Sequence, residues 1–254
     1  MRKAQLLEEE SLKNKLSIIV LAAGKGTRMQ SDIPKVLHMV NNKSMIKHVL
    51  SQTDELNPSE LIVVVGYEAA QLKNHLSDYN LSFALQKKQY GTAHAVMQCD
   101  KNLNKFKGST LILSGDVPLI TSKTLQNLYE MHINKNAHAT ILSAEVLDPF
   151  GYGRIIRNND NDFISIVEHK DANEAQKEIK EINGGIYIFD NQILFKNLNK
   201  INNNNNQSEY YLPDILPILI EQNYNVHIHK IDDENEIKGA NTYEQLKELE
   251  KYAK

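Results

Sequence analysis

The sequence predicts an α/β protein in which helices flank a mixed, mainly parallel β-sheet. In the first half of the chain, short apolar runs rich in β-branched residues alternate with segments of helical periodicity. Strands that alternate with helices of roughly 10 to 15 residues form crossover units, and such units build parallel sheets. Three of the predicted strands are followed directly by glycine or polar residues. Because parallel sheets bind ligands beyond the carboxyl ends of their strands, these residues predict one shared site.

Four short apolar runs predict the strands of the first half, with helices between them. Continuous runs of this length are typical of strands that are buried on both faces. The predicted strands lie at 16–20, 61–65, 81–85 and 110–113. Apolar residues at helical spacing predict a helix that begins after Ser44 and two further helices at about 68–76 and 91–103.

The second half of the sequence predicts a more antiparallel arrangement. Two apolar segments flank the polar turn 158–161 and predict a β-hairpin. We expect this half to fold over the ligand face of the sheet as a small antiparallel subdomain. The predicted elements are a helix at 121–135, a strand at 139–146, hairpin strands at 151–156 and 163–167, a helix at 170–180, strands at 185–189 and 226–229, and helices at 209–222 and 243–252. Together these elements predict one domain at 16–254, preceded by a polar extension at 1–15.

Length and composition exclude several classes of protein. With 254 residues, of which 41% are hydrophobic and 24% charged, the chain suits one large soluble domain. A net charge of −3 argues against a nucleic-acid partner held mainly by charge. No apolar run approaches the ~18–20 residues of a membrane-spanning helix, so we expect no membrane partner. The single cysteine, Cys99, excludes an intrachain disulfide and a cysteine-rich metal site, and it fits a cytoplasmic location.

The segment Leu21–Met29 follows the first predicted strand and is continued by Pro34 and Lys35. Its two glycines create a bend with little side chain, and such a bend lets backbone N–H groups form an anion-binding concavity. Lys25, Arg28 and Lys35 add three cations close to the strand end. These features suit a polyphosphate, and a tight turn with solvated lysines is the alternative that spacing alone leaves equally open.

The pattern L-x-x-G-x-G-T-R-M followed by P-K is the opening motif of the sugar-phosphate nucleotidyltransferases. Over about 16–254 the sequence resembles the uridylyltransferase half of the bifunctional bacterial enzyme that makes UDP-N-acetylglucosamine. The resemblance implies a Rossmann-like fold of the nucleotide-diphospho-sugar transferase type, with Arg28 and Lys35 as catalytic residues. The residues that it implies for nucleotide binding are Leu21, Ala22, Ala23, Gly24, Lys25, Gln86, Gly91 and Thr92.

The segment Q-x-x-Q-x-G-T-A-H-A at 86–95 extends this resemblance on the nucleotide side. The amide of Gln86 has both a donor and an acceptor, as reading a uracil edge requires. Glycine at position 91 would allow a base to lie against the backbone. The structural alternative is a strand-to-helix loop in which Thr92 caps the helix.

Asp116, in G-D-V-P-L, follows the fourth predicted strand, where a carboxylate is well placed to hold a hard cation. Magnesium prefers one or two carboxylates plus substrate phosphates and water. From spacing alone, Asp116 could equally well cap the turn that follows it instead of holding a cation. The resemblance implies Mg²⁺ bound by Asp116 and Asn241, the latter in G-A-N, where the family more often has valine at the position of Ala240.

The resemblance also implies a sugar site in the second half of the chain. Its implied residues are Ser114, Gly115, Gly153, Glu168 and Asn183. Glu168 could accept from a sugar hydroxyl, and Asn183 could bond an N-acetyl group or a hydroxyl; taken singly, each is more typical of a solvated or turn position. The sequence departs from the family here, since Gly184 replaces the usual threonine and Asn206 and Ser208 replace smaller residues. The sugar is therefore less firmly implied than the nucleotide chemistry.

The activity implied by the resemblance is Mg²⁺-dependent uridylyl transfer from UTP to N-acetylglucosamine 1-phosphate. The resembled enzyme continues into a left-handed β-helix that transfers an acetyl group and builds a trimer, and the hexapeptide repeats of such a helix do not occur in this sequence. We therefore expect no acetyltransferase activity, no trimer of that kind, and a monomer or weak oligomer.

Two alternatives stay open, a nucleotidyltransferase for another sugar 1-phosphate or nucleotide, and a non-catalytic regulator that binds nucleotide sugars. The joint presence of Arg28, Lys35, Asp116 and Asn241 argues against the regulator.

Overall fold

The computed structural model describes residues 15–29 and 31–253. Apart from Lys15, the extension expected at 1–15 lies outside the described residues. Within the described part, nine strands form one sheet, and two short strands that the sequence did not predict, β2 (Met39–Val40) and β3 (Lys43–Ser44), form a separate hairpin. The strands of the main sheet are β1 (Leu16–Leu21), β4 (Glu60–Val65), β5 (Ser82–Leu85), β6 (Ser109–Ser114), β7 (Ala139–Glu145), β8 (Arg154–Arg157), β9 (Phe163–Val167), β10 (Glu181–Asp190) and β11 (Val226–Ile231).

The main sheet has the strand order β11-β7-β10-β6-β1-β4-β5. β1 pairs in parallel with β4 and β6, and β4 with β5, whereas β10 runs antiparallel to both β6 and β7. The β8–β9 hairpin joins this sheet through β10, so the antiparallel part is continuous with the parallel part. The expected mixed, mainly parallel sheet is confirmed. The carboxyl ends of β1, β4, β5 and β6 share one edge of the sheet, and the candidate site forms there.

Side chains that alternate along the central strands bury both faces of the sheet. Ile18 and Val20 of β1 belong to one cluster of buried apolar residues, and Ile19 between them belongs to a second cluster. Val63 and Ile62 of β4 divide between the same two clusters. A one-residue slip would exchange these faces, so the burial fixes the register and the position of the residues that follow each strand.

Helices cover both faces of the sheet. They are α1 (Met45–Ser51), α2 (Ala69–His75), α3 (Thr92–Met97), α4 (Asp100–Leu103), α5 (Ser122–Asn134), α6 (Glu174–Lys177), α7 (Asn191–Asn197), α8 (Ile215–Glu221) and α9 (Tyr243–Glu250). As predicted, Thr121 caps α5, because its side chain accepts a hydrogen bond from the N–H of Thr124. None of the helices in the described residues combines the length and the apolar composition that crossing a membrane requires.

The helix predicted at 209–222 begins with a 3-10 turn at Leu212–Asp214 and is α-helical only from Ile215. Upstream of it, Tyr210 donates its N–H to the carbonyl of Tyr90 at 2.8 Å and accepts from the N–H of Ala93 at 2.9 Å. Because both backbone groups of Tyr210 are engaged with another segment, they cannot form a helical turn. This part of the prediction is wrong, and the loop that replaces the helical turn closes one side of the candidate site.

Three other predicted helices are shorter or divided. The helix that starts after Ser44 ends at Ser51. The segment predicted as one helix at 91–103 forms α3 and α4, separated at Gln98 and Cys99, whose N–H groups bond three residues back as in a 3-10 turn. The segment 170–180 is helical only over α6, which a capping box between Asn173 and Gln176 begins.

Candidate active site

The bend after β1 brings Lys35 close to the end of that strand. Gly26 has a φ of +66°, which favours glycine, and a Cβ there would lie 2.6 Å from the Cβ of Lys35. The 3-10 turn that follows ends at the buried Met29 and leaves Arg28 exposed. The glycine thus allows the close approach, and Met29 anchors the segment that carries both cations.

Two cations and two oxygen-bearing side chains from three separate segments meet beside this bend. Lys35 Nζ forms an ion pair with a carboxylate oxygen of Asp116 and donates to Asn241 Oδ1 at 3.0 Å. Arg28 Nη2 donates to the same amide oxygen at 2.8 Å. The side chains of Lys35 and Asp116 are only 16% and 21% exposed, so solvent screens their charges less than at an open surface. The structure therefore brings together the residues implied for catalysis and for metal binding.

Backbone contacts with Asp116 fix the position of Asn241. The N–H of Ala240 lies 3.4 Å from the Asp116 carbonyl, and a Cβ on Gly239 would lie 3.1 Å from the same oxygen. Asn241 in turn donates its N–H to Gln245 Oε1 at 2.7 Å, in the first turn of α9. The segment before α9 therefore packs directly on the strand end that carries Asp116.

Asp116 and Asn241 offer two hard oxygen donors at a place that already favours a cation, since the Lys35 ammonium contacts both side chains. Throughout the described residues, no group of three or more His, Cys, Asp and Glu side chains could hold a metal ion. A metal at the Asp116–Asn241 pair would therefore complete its coordination with phosphates and water. This donor set fits Mg²⁺ and does not suit a soft metal.

A cleft of about 340 Å³ lies beside this cluster. It holds most of the residues implied for nucleotide binding, but Lys25 does not line it and instead lies over the ring of Tyr67, 5.2 Å from its centre. Two further lining residues are Gln89, which belongs to the 86–95 motif but was given no role, and Glu209, which was predicted to lie in a helix. The lining residues are Leu21, Ala22, Ala23, Gly24, Lys35, Val36, Gln86, Gln89, Gly91, Thr92, Ala95, Ser114, Asp116 and Glu209.

The backbone of Tyr210 approaches position 91 so closely that only glycine fits there. Gly91 has a φ of +108°, and a Cβ there would lie 2.5 Å from the Tyr210 carbonyl oxygen. From the sequence, glycine at this position was expected to let a base lie against the backbone; in the structure, the approach of Tyr210 is a sufficient reason for it. Thr92 holds the same loop, because its hydroxyl accepts from the N–H of Leu212 at 2.9 Å. The alternative in which Thr92 caps the helix does not hold, since Gly91 is the N-cap residue of α3.

Gly153, Glu168 and Asn183 form a second cluster. Asn183 donates its N–H to the Gly153 carbonyl at 2.9 Å, and a Cβ on Gly153 would lie 3.1 Å from Glu168 Oε1. The amide of Asn183 donates to the Tyr187 hydroxyl at 2.6 Å and accepts from the N–H of Gly185 at 3.0 Å. These bonds hold the Asn183 side chain in one orientation beside Glu168.

Ser114 and Gly115 connect the cleft with the second cluster. Ser114 lines the cleft and donates its hydroxyl to the Gly185 carbonyl at 3.3 Å. Gly115 is buried, and a Cβ there would lie 3.0 Å from the Leu21 carbonyl oxygen, so the strand ends of β1 and β6 pack closely at this point. The two sites that the sequence implies are thus adjacent.

Glu168 is a carboxyl group with a strongly perturbed pKa. Burial raises its pKa to about 7, Asp214 and Asp171 act in the same direction, and Arg154 opposes them. Arg154, to which the sequence pattern assigned no role, is only 1% exposed and donates to the Lys177 carbonyl at 3.2 Å. The second cluster therefore contains a carboxyl that gains or loses its proton near neutral pH.

Comparison with known proteins agrees with this arrangement. The sequence model of the family described as nucleotidyl transferase matches residues 17–234. Over 233 residues, 92% of this chain, the sequence is 47% identical to the bifunctional protein GlmU of Streptococcus agalactiae serotype V and 48% identical to that of Staphylococcus saprophyticus. The alignments cover 50% and 51% of those proteins, so the chain spans about half the length of the curated relatives it matches.

A solved structure from Bacillus anthracis, named "Putative Glucose-1-Phosphate Thymidylyltransferase", has the same fold. It superimposes with a TM-score of 0.73 over 93% of this chain and 94% of that chain. Its sequence is 18% identical, so this likeness concerns the fold alone. The family match and the identity to relatives establish more than the fold, and this chain belongs to the nucleotidyl transferase family.

Proposed function

We propose that the protein transfers a uridylyl group from UTP to N-acetylglucosamine 1-phosphate, giving UDP-N-acetylglucosamine and pyrophosphate. The observation that carries the proposal is the meeting of Arg28 and Lys35 with Asp116 and Asn241 beside the cleft. The reaction requires two polyanions to approach each other, and preorganised cations lower that repulsion. The resemblance of the motifs to those of uridylyltransferases supports the choice of substrates.

In the proposed reaction, a phosphate oxygen of the sugar 1-phosphate attacks the α-phosphorus of UTP in line. The new O–P bond forms while the bond from the α-phosphorus to the bridging oxygen breaks, and pyrophosphate leaves with that electron pair. The attacking phosphate is ionised at neutral pH, so no side chain has to remove a proton. Lys35 neutralises charge near the reacting phosphorus, and the exposed Arg28 holds the triphosphate and the leaving pyrophosphate. Positioning and charge neutralisation supply the catalysis.

The oxygen donors of Asp116 and Asn241 suit Mg²⁺ as the cofactor. A bound ion of this kind neutralises phosphate charge and orients the reacting oxygens. The contacts of Lys35 support this choice of cofactor. Its ammonium group contacts both donor side chains, so the electrostatic potential at this place is negative.

The second cluster supports a sugar 1-phosphate as the acceptor, and the resemblance supplies N-acetylglucosamine as the sugar. An ionised Glu168 can accept from sugar hydroxyls, and Asn183 lies beside it in a fixed orientation. The departure at Gly184 does not weaken this choice. The nearest atoms to a Cβ there belong to Ile237, at 2.9 Å, and to the carbonyl of Leu142, at 3.0 Å, so a side chain at 184 would point into the core.

Release of pyrophosphate from a panel of nucleotides and sugar 1-phosphates tests the proposal. We expect turnover with UTP and N-acetylglucosamine 1-phosphate in the presence of Mg²⁺, and at least about tenfold less with CTP, dTTP or a hexose 1-phosphate without the N-acetyl group. Preference for another pair would identify a nucleotidyltransferase of different specificity. Binding of both substrates without pyrophosphate release would favour the non-catalytic regulator.

Three further expectations accompany the proposal and stay predictions. They are the absence of acetyl transfer from this sequence, a monomer or weak oligomer in solution, and action in the cytoplasm, where nucleoside triphosphates are made and used. Size-exclusion chromatography with light scattering tests the second of these directly.

A further inference from the structure

We propose that the loop 205–211, here called the bridging loop, connects the second cluster to the cleft, and that Asn206 is the positioning residue that attaches this loop to the turn 168–172. Asn206 itself touches no substrate. It holds the turn, and with it Glu168, in place for the sugar 1-phosphate. The inference rests on the proposed function, because it concerns how the acceptor of that reaction is held.

Two hydrogen bonds from Asn206 reach the turn that follows β9. Its backbone N–H donates to Asp171 Oδ1 at 2.9 Å, and its side-chain amide donates to the Lys170 carbonyl at 2.8 Å. The first bond needs only a backbone N–H, whereas the second needs a side chain that can donate. Asn206 stands where the family has a smaller residue, and alanine at this position would keep the first bond and lose the second.

The turn that Asn206 contacts carries Glu168. The N–H groups of Asp171 and Ala172 both donate to the Glu168 carbonyl, at 2.9 and 3.0 Å. The other carboxylate oxygen of Asp171, Oδ2, is buried and has no hydrogen-bond partner among the described residues. Asp171 therefore depends on the bond from Asn206, since a buried carboxylate without donors is costly. Movement at 170–171 would also shift Glu168, because the two segments form one hydrogen-bonded turn.

A second connection runs through side chains and ends at a buried residue. Lys170 Nζ donates to Gln207 Oε1 at 2.6 Å, and Gln207 Nε2 donates to the Tyr211 hydroxyl at 2.5 Å. Tyr211 is buried. The bridging loop is thus bonded to the turn at two successive residues, and its far end is anchored in the protein interior.

The same loop borders the cleft. Glu209 lines the cleft, and the Asn205 side chain accepts from the N–H of Glu209 at 3.2 Å and donates to its carbonyl at 2.6 Å. The next residue, Tyr210, is bonded through its backbone to the segment around α3. One loop with few free backbone groups therefore contacts the turn 168–172 on one side and the nucleotide cleft on the other.

This connection matters because in-line attack requires the sugar 1-phosphate to be placed accurately relative to the α-phosphorus of UTP. Breaking the attachment at Asn206 frees the turn 168–172 and leaves the contact between Tyr210 and Gly91 in place. The loss should therefore weaken binding of the sugar 1-phosphate and spare binding of UTP.

Asn206→Ala tests this separation. Asn206 is exposed, so the substitution leaves the hydrophobic core intact. We expect KM for N-acetylglucosamine 1-phosphate to rise about three- to tenfold, while KM for UTP and kcat change by less than about twofold. Asn204→Ala is the matched control, since Asn204 is exposed in the same polar run and its side chain forms no hydrogen bond within the described part of the chain. An unchanged KM for the sugar 1-phosphate, or an equal rise in both KM values, would overturn the inference.

Aspartate at the same two positions separates the hydrogen bond from the charge of the loop. Asn206→Asp keeps the shape of the side chain, replaces the donor nitrogen by an acceptor and places a second carboxylate beside Asp171. Its KM for the sugar 1-phosphate should rise at least as much as in Asn206→Ala. Asn204→Asp adds the same charge without touching the turn, and its KM should stay within about twofold of the original. Equal effects of the two aspartates would assign the change to net charge, and the inference would fail.

Hydrogen exchange followed by mass spectrometry separates the inference from the proposed function, since it needs no substrate. We expect peptides that contain 168–172 to exchange at least about threefold faster in Asn206→Ala than in Asn204→Ala, and peptides that contain Gly91 to exchange equally in both. If the protein releases no pyrophosphate but shows this difference, the proposed activity fails and the attachment stands. If it turns over its substrates and the two variants exchange alike, the activity stands and the attachment fails.

Discussion

The ammonium group of Lys35 contacts Asp116 and Asn241 simultaneously, as an ion pair with the carboxylate and as a donor to Asn241 Oδ1 at 3.0 Å. A divalent ion held by Asp116 and Asn241 would need the same side-chain oxygens that Lys35 contacts. Under the proposed function, a metal bound there would compete with Lys35 for these two ligands. Occupation by the metal would release Lys35 toward the phosphates.

This competition predicts how Lys35 affects metal binding. Lys35→Met removes the charge and keeps most of the aliphatic chain, so in the absence of nucleotide we expect Mn²⁺ to bind severalfold more tightly than to the original protein. Titration followed by electron paramagnetic resonance measures this affinity without any turnover. Lys123→Met, at an exposed position on α5, serves as the control for a general change in net charge and should leave the affinity nearly unchanged. Weaker binding by Lys35→Met than by this control would show that Lys35 supports the metal site.

Loss of either Arg28 or Asp116 should slow the reaction strongly. Removing one preorganised charge from the transition state typically costs ~2.7 kcal/mol or more, about a hundredfold in rate. We expect Arg28→Ala and Asp116→Ala each to reduce kcat/KM in the pyrophosphate-release assay by at least that factor. Both side chains are outside the hydrophobic core, so the unfolding midpoints should change little. Near-normal turnover of either variant would remove that residue from the proposed mechanism.

Glu168 predicts a pH dependence of stability. Its pKa in the folded protein, about 7, is higher than the ordinary value of 4.5, chiefly because of burial. Between these two values the folded state binds more protons than the unfolded state, so ionisation of Glu168 destabilises the fold as the pH rises from about 4.5 to about 7. Glu168→Gln removes this effect. We expect the variant to gain roughly 2 kcal/mol in unfolding free energy relative to the original protein when the pH is raised from about 5 to about 8.

Denaturant unfolding of both proteins across this range checks the prediction. Asp214, whose pKa burial raises to about 6, also contributes to the pH dependence. Because Asp214 raises the pKa of Glu168, the difference between the two proteins contains the ionisation of Glu168 together with its coupling to Asp214. A difference that stays constant with pH would show that Glu168 ionises normally. At pH 8, Glu168→Gln should also bind the sugar 1-phosphate less well, because it loses the ionised acceptor.

The hydrophobic pattern predicted the sheet well, because burial on both faces constrains every residue of the central strands. Ile18 and Ile19 could be assigned to strand without knowledge of their neighbours in space, since their side chains are enclosed whichever way they point. Asp116 could be placed at the sheet edge for the same reason, because it follows such a strand directly. The approach of Ala240 to the Asp116 carbonyl, which brings Asn241 to the site, could not be derived from spacing, since it depends on how the segment before α9 packs on the sheet.

The prediction was wrong where a long-range backbone contact outweighs a local preference. The segment that starts with Glu209 and Tyr210 has helical character in sequence, but its backbone bonds to Tyr90 and Ala93. The sequence contains no local signal of these bonds. Gly91 was the available clue, because a glycine at that position indicates a close approach without identifying the approaching group.

The close approach of Tyr210 to Gly91 predicts that a side chain at position 91 destabilises the protein. Gly91→Ala would place a methyl group 2.5 Å from the Tyr210 carbonyl oxygen and force alanine to a φ of +108°. Backbone strain of this kind typically costs about 1–3 kcal/mol, so we expect a fall of that size in unfolding free energy. Gly24→Ala is the matched control within the same cleft, because no heavy atom lies within 4 Å of a Cβ there, and its unfolding free energy should change by less than about 0.5 kcal/mol. Equal stability of the two variants would show that the loop at Tyr210 can move away from Gly91 at little cost, and that the cleft is not closed on this side by a rigid contact.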